Sequence, residues 1–416
     1  MPAFDPVRDA LRAGGSNIPL VHLNTTRRAT DLAVLLNDPE DMRIPYNPKS
    51  RISAPGLVMV PLTKAEMDMY KSFRGQGAAR VLKRKRQANS DTEEEPPAKK
   101  LAGDVNVVVE HYNSRPDVGV VQRLDSPIIG LKNFNNWVKS VLITRFAHSV
   151  LAQSSGRGAR SGPGRAAGKV LDMGCGKGGD MTKWAKARVK EYYGVDIAAM
   201  SVEQAHKRWK TLHPPRFDAH FAAMDCYTEP LAKGFMPAML SQPFDVVSMQ
   251  FCMHYAFETV QKARCMLENV SKHLRSGGVF IGTIPNPDFL LDQLDALPQD
   301  AEKLSFGNSV YKITFEKRKT GQIFGHKYWF FLRDAVDNVP EYVVHWDNFV
   351  QMAAEYKLRL LYKQEFHRVF EEHQDHQEFG PLMVRMKVVD SDGASAMDED
   401  QWEAANLYIA FAFEKQ

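Results

Sequence analysis

The sequence predicts an α/β fold, with a mostly parallel sheet carrying helices on both faces and a poorly ordered tail in front of it. Three observations carry this. Between residues 170 and 283, short apolar runs alternate with segments of helical period, and strand–helix–strand–helix order builds a parallel sheet covered on both sides. A glycine-rich turn follows the first of those runs directly and opens a helix. Composition is globular, 44% hydrophobic and 25% charged, which excludes a wholly disordered, collagenous or fibrous chain.

Taken in order, residues 1–105 scatter Pro, Gly, Asn and charge without a sustained period, as expected of a poorly ordered tail. Arg80, Lys83, Arg84, Lys85 and Arg86, then Lys99 and Lys100, flank an acidic stretch. These two basic clusters suit a bipartite nuclear import signal, with RNA tethering as the other functional option. One domain is expected over 106–416. It carries two low-complexity insertions, Ser154–Gly168 (Arg/Gly-rich) and a stretch near Glu371–Asp400 rich in Asp, Glu, Gln and His, both read as flexible and exposed.

Within the domain, Val170–Met173 reads as a buried strand, Asp180–Lys190 as a helix, Tyr192–Val195 as a strand ending in Asp196, and Ser201–His213 as a helix. Ala219–Ala223, Phe244–Met249 and Gly278–Thr283 are further strands, with an amphipathic helix over Val260–Leu274. Cys175, Cys226, Cys252 and Cys265 form no C-x-x-C pair, so reduced thiols are expected and neither a disulfide framework nor a zinc ribbon. No metal-ligand spacing occurs. The amino end has no sustained apolar stretch, and nowhere do about 18 apolar residues run together, so neither secretion nor membrane spanning is expected. The net charge of +4 hides regional asymmetry: residues 101–370 hold 34 Lys+Arg against 27 Asp+Glu, and residues 371–416 hold 3 against 11.

The chemistry-bearing turn is D-x-G-x-G-x-G-G, Asp172 to Gly179. Glycines there let backbone approach a ligand where a Cβ would clash. The spacing departs from the G-x-G-x-x-G of dinucleotide oxidoreductases and matches the first motif of S-adenosylmethionine (SAM) methyltransferases. Asp196, about twenty residues on, can accept both ribose hydroxyls. Asp225 ends up at the same sheet edge, able to accept from an adenine amino group or to be a plain surface-loop aspartate. Gln250 follows the Phe244–Met249 strand to that edge.

The segments NFNNWVK (Asn133–Lys139), DMGCGKGGD (Asp172–Asp180), QFCMHY (Gln250–Tyr255), GTIPN (Gly282–Asn286) and FAFEK (Phe411–Lys415) together resemble the eukaryotic mRNA cap guanine-N7 methyltransferase family. The likeness runs from about His111 to Gln416, outside the two insertions, where the chain departs from the family pattern. It implies a class I SAM-dependent methyltransferase fold, Rossmann-like, with SAM as methyl donor. It implies that Lys139, Gly174, Asp196, Asp225, Gln250 and Tyr255 line the cofactor pocket. It places Asn135, Asn136, Lys177, Lys183, Arg208, His254, Glu341 and Tyr408 at the capped RNA.

The residue types agree with that division. Lys177, Lys183 and Arg208 suit a triphosphate, although Lys183 and Arg208 read by themselves as a solvated helix face. Guanine needs an aromatic wall and a carboxylate. Phe251, Tyr255 and Tyr408 are candidate walls, Glu341 can accept from the N1/N2 edge, and His254 donates to O6 or packs on the ring. Alone, Phe251, Tyr408 and His254 read as core residues. Guanine N7 carries no proton at neutral pH, so in-line attack on the sulfonium methyl requires no general base, and no catalytic residue is expected beyond positioning groups.

The resemblance also implies a nuclear location and, as partners, the capped pre-mRNA 5′ end, the capping guanylyltransferase and the phosphorylated RNA polymerase II tail. No membrane and no metal are expected. A SAM enzyme for a small metabolite would share Gly174–Gly179 and Asp196 but leaves NFNNWVK and the basic tail unexplained. A noncatalytic cap- or RNA-binding protein would not need the intact glycine turn.

Overall fold

The computed structural model describes residues 104–114, 124–154, 166–213, 217–319 and 321–416. The import-like basic clusters and most of the Ser154–Gly168 insertion lie outside these residues, as does the expected tail except Asp104 and Val105. Those two residues begin a helix, α1 (Asp104–Ser114), and the described residues belong to one compact unit.

NFNNWVK lies on the next helix, α2 (Ile129–Leu142). Its Phe134, Trp137 and Val138 are fully buried, which leaves Asn136 and Lys139, one turn apart, on a flank. A five-residue π-helical segment, Ile143–Ala147, carries the chain into α3 (His148–Ser154). Then come β1 (Lys169–Met173), α4 (Met181–Lys186), β2 (Glu191–Asp196), α5 (Ala199–Thr211), β3 (Asp218–Ala223), β4 (Phe244–Gln250), α6 (Val260–His273) and β5 (Leu274–Pro285). Every residue of β1 and of β4 is buried, as in strands covered on both faces.

The seven-stranded sheet has the order β10-β11-β5-β4-β1-β2-β3. The pairs among β1 to β5 are parallel, and β11 (Tyr408–Lys415) lies antiparallel between β5 and β10 (Leu358–Glu365). The expected fold class is therefore observed. The helix expected over Asp180–Lys190 stops at Lys186, because Arg188 takes φ +54° and turns the chain into β2.

Sequence periodicity did not reveal a second sheet. Strands β6 (Ser305–Gly307), β7 (Tyr311–Phe315), β8 (Lys327–Leu332) and β9 (Val336–Tyr342) form an antiparallel meander. On β8, Tyr328, Phe330 and Leu332 are buried and alternate with more exposed residues, the half-buried pattern of a sheet with one wet face. Helix α7 (Pro287–Ala296) leads into it, and α8 (Trp346–Glu355) leads back to the main sheet.

The segment near Glu371–Asp400 is a correction. It is not a loose insertion: α9 (Phe366–His373), α10 (Phe379–Arg385) and α11 (Glu399–Ala405) run through it, and Phe379, Met383, Val388 and Met397 pack in one cluster with Phe134 and Trp137 of α2. Trp137 Nε1 donates to Phe379 O at 3.0 Å. Sparse apolar residues at helical spacing suffice to dock a surface otherwise acidic. Phe379→Ala is expected to destabilise the fold by about 3–5 kcal/mol, as loss of a buried aromatic does. A urea midpoint equal to that of the unaltered protein would contradict this packing.

Candidate active site

Parallel strands bring four chain segments to one edge. After β1 come Gly174, Gly176 and Gly178, with φ of +73°, +51° and +72°, a region costly for other residues. A Cβ on Gly174 would strike Cys252, just beyond β4, and one on Gly176 would project into open space. The amides of Gly174 and Cys175 both donate to Val195 O, at 2.8 and 3.0 Å, pinning the turn to the end of β2. Asp196, at that end, accepts from Gly176 N and from Ala198 N, both at 2.9 Å. Burial raises its carboxyl pKa, and those two backbone bonds work against the rise. Each oxygen keeps a lone pair for a further donor.

Beyond β3, Asp225 caps its own loop, accepting from Tyr227 N (3.0 Å) and Thr228 Oγ1 (2.8 Å). Gln250 ends β4 and is locked between Ser248 and Thr283, 3.2 Å from each hydroxyl. Phe251 follows with φ +60°, a strained value for a side chain of its size, held by its amide donating to Thr283 O and Oγ1, each at 3.0 Å. Gly174, Gly176, Asp196, Asp225, Gln250, Phe251 and Tyr255 line one cleft with about 1000 Å³ of empty volume, part of it open to solvent. Val105, Val108 and Tyr112 of α1 form its far wall.

A second constellation adjoins it. Glu341, on β9, is 4% exposed. Its carboxylate accepts from Tyr328 OH at 2.9 Å and Tyr255 OH at 3.4 Å, and Tyr112 OH lies 3.4 Å from Tyr255 OH. His254 Nε2 is 3.3 Å from Glu341 Oε1 but is not aligned for a hydrogen bond. Among the described residues, neither of its buried ring nitrogens has a partner. Phe251 meets Tyr408 edge to face, with centroids 4.9 Å apart, and a narrow crevice lies beside Tyr408, Tyr328 and Glu341. Burial, partly offset by the Tyr255 hydrogen bond, pushes Tyr112 up to about 12. Burial likewise raises Tyr255, Tyr328 and Tyr408 well above the usual phenol value. These phenols are therefore donors at neutral pH and not bases.

The third group is electrostatic. Asp180 accepts from Lys139 at 2.8 Å and Lys183 at 2.7 Å, and Lys183 also donates to Asn136 Oδ1 at 3.0 Å. Burial favours the neutral acid, but the two ammonium groups outweigh it and hold the Asp180 carboxyl well below the usual carboxylate range. Lys139 thus sits against Asp180, 5.9 Å from the Phe251 ring, and does not line the cleft. Arg208 and Lys177 do not line it either, although α5 and the glycine turn touch, since a Cβ at Gly178 would lie 3.4 Å from Ala205 Cα. The buried Asn135 Oδ1 has no partner among the described residues.

Sequence reasoning missed Tyr112, Tyr328 and the pairing role of Asp180. Tyr112 lies just past the apparent tail, and Tyr328 lies in the unrecognised second sheet. Asp180 was visible in DMGCGKGGD only as a helix start. Among the described residues, no three His, Cys, Asp or Glu side chains are arranged to hold a metal, and no helix is long and apolar enough to cross a membrane.

The strand order with an antiparallel strand next to the last, together with a glycine turn and strand-terminal acid facing the cleft, defines a class I SAM-dependent methyltransferase fold. Residues 97–416 match the mRNA (guanine-N(7))-methyltransferase domain, and the chain belongs to that family. It is 50% identical over 351 residues to the mRNA cap guanine-N(7) methyltransferase of Cryptococcus neoformans, covering 82% of this chain and 54% of that one. It is 46% identical over 319 residues to that of Schizosaccharomyces pombe, covering 75% and 82%, and 38% identical over 321 residues to that of Saccharomyces cerevisiae, covering 74% and 70%. The chain spans about half the length of the Cryptococcus relatives it matches.

Behind the glycine turn, burial and the Asp180 charge raise Asp172 to about 7, and Tyr192 OH donates to it at 2.8 Å. The folded state thus holds this proton more tightly than the unfolded chain. Stability from Asp172 is accordingly present below about pH 4 and lost as pH rises toward 7. Asp172→Asn is expected to remove this slope and raise stability at pH 8 by a few kcal/mol. Denaturation midpoints of both proteins at pH 5 and pH 8 measure it; parallel curves would refute it.

Proposed function

We propose that this protein transfers the methyl group of SAM to N7 of the terminal guanine of a 5′-capped RNA. The observation that carries the reading is the buried pair of Glu341 and His254 beside the Phe251 and Tyr408 rings. A buried carboxylate and a histidine with two unpartnered nitrogens are costly as mere packing. They complement guanine's hydrogen-bonding edge: N1–H and N2–H donate to Glu341, and O6 accepts from His254. Family membership and the glycine cleft support the same reading.

When bound, SAM supplies a methyl carbon made electrophilic by its sulfonium. The Gly174–Gly178 backbone gives it room, Asp196 accepts from both ribose hydroxyls, and Asp225 accepts from the adenine amino group. Gln250 and Tyr255 close the cleft, while Lys139, paired with Asp180, stands outside the cleft lining, 5.9 Å from the Phe251 ring. Lys177, Lys183 and Arg208 offset the charge of the triphosphate bridge, with Asn135 and Asn136 beside them on α2. N7 uses its free lone pair, so no residue takes a proton. The work of the protein is alignment, which can supply roughly 7–11 kcal/mol. The four phenols and the buried Cys175 and Cys226 thiols, pushed up by burial, are held protonated and match a reaction without a general base. We assign the enzyme to the nucleus, with the capping guanylyltransferase and the phosphorylated polymerase tail as associates.

Labelled SAM offered with GpppG-capped RNA, triphosphate-ended RNA and free GTP tests the reading; methyl transfer that ignores the cap would overturn it. Asp196→Ala is expected to weaken SAM binding by roughly 3–6 kcal/mol, the worth of two charge-assisted hydrogen bonds. Glu341→Ala is expected to leave SAM affinity unchanged and to lower kcat/KM for capped RNA about 100-fold or more. Equal activity of that variant would remove Glu341 from the base pocket.

A further inference from the structure

We propose that the outer face of α4 and α5 is the track for the RNA chain beyond the cap, binding its phosphates without regard to sequence. The inference rests on the cap methyltransferase reading and adds a surface to it. Residues 177–213 carry eight Lys and Arg against four Asp and Glu. Two of those acids, Asp180 and Asp196, are turned inward onto Lys139, Lys183 and backbone amides. The other two, Glu203 and Glu191, pair with Lys207 at 2.7 Å and Lys190 at 3.5 Å, in exposed ion pairs that a phosphate displaces at little cost.

Both helices cover the same side of the sheet. Met181 and Trp184 of α4 and Ala205 of α5 share one buried cluster with Val170 and Tyr192, so the residues pointing away from it form one surface. Lys186 at the end of α4 and Lys207 and Lys210 on α5 are exposed, as are Arg188 and Lys190 in the connection from α4 to β2, and among the described residues Lys186 and Lys210 form no ion pair.

This surface is continuous with the triphosphate cations. Gly178, next to Lys177 in the glycine turn, packs on Ala205 of α5, and Arg208 lies one turn further along that helix. Lys183 and Lys186 lie one turn apart on α4. The carboxyl-terminal segment, with 11 acids against 3 bases over residues 371–416, offers a polyanion the opposite field. An RNA leaving the cap site is therefore drawn over α4 and α5.

The test compares methyl transfer to the GpppG dinucleotide with transfer to an unstructured capped RNA of about 20 nucleotides, in which three phosphate contacts give a log–log salt slope of about −2. In the unaltered protein, KM for the long RNA should be below that for GpppG and should rise about 20-fold between 50 and 200 mM salt. Lys186→Glu/Lys190→Glu/Lys210→Glu should raise KM for the long RNA at least about tenfold and flatten its salt dependence, with GpppG kinetics unchanged. The corresponding triple Arg variant should behave as the unaltered protein.

Equal KM for both substrates, or a triple Glu variant that handles long RNA normally, would overturn the proposal. Parallel loss on GpppG would also overturn it, by making the face structural, and so would loss of phosphopeptide binding alone, by assigning the face to a protein. Absence of methyl transfer to GpppG by the unaltered protein would instead defeat the underlying reading.

Discussion

Strands that run parallel must end at the same edge, and in this protein that constraint builds the site. β1, β2, β3 and β4 deliver the glycine turn, Asp196, Asp225 and Gln250–Phe251 to one rim, although these residues are spread over some eighty positions of sequence. The loops then interlock. The turn after β1 hangs its amides on Val195 of β2 and lays Gly174 against Cys252 after β4. A cleft wall that leans on three neighbouring strands is preorganised before any ligand arrives, and preorganisation is what a reaction limited by alignment requires.

The buried charges divide between holding and recognising. Asp180 is satisfied twice over by Lys139 and Lys183, so α2 is moored to the start of α4 by a pairing that offsets the desolvation of all three groups. Among the described residues, Glu341 accepts hydrogen bonds from neutral phenols alone, and His254, 3.3 Å from it, makes none. The first arrangement is closed, while the second keeps capacity for an incoming partner. Asp172, a proton-holding acid behind the turn that accepts from Tyr192, differs in this respect from the acids that face the cleft.

The second sheet has a positional role. β9 presents Glu341 and β8 presents Tyr328, so the carboxylate proposed to read guanine and the hydroxyl that orients it come from an element outside the nucleotide-type fold. α1 adds Tyr112 to the same chain of hydroxyls. The cleft is thus walled partly by the family's general framework and partly by an appended meander.

How much of this was legible beforehand depends on the range of the interaction. Composition and local period determined the alternating α/β order, the glycine turn and the strand-terminal Asp196, because buried parallel strands and a left-handed turn restrict residue types locally. Motif likeness put forward Lys139, His254, Glu341 and Tyr408 as candidates, of which Lys139 does not line the cleft. Chain alone could not show that Lys139 and Lys183 share Asp180, that Phe251 is strained against Thr283, or that Tyr328 and Tyr112 flank the pair formed by Tyr255 and Glu341. Nor could it show that the acidic stretch near Glu371–Asp400 docks Phe379 under Trp137. Those contacts join residues up to 242 positions apart. Their partners are chosen by which faces the packed core turns toward one another, which no local window of sequence contains.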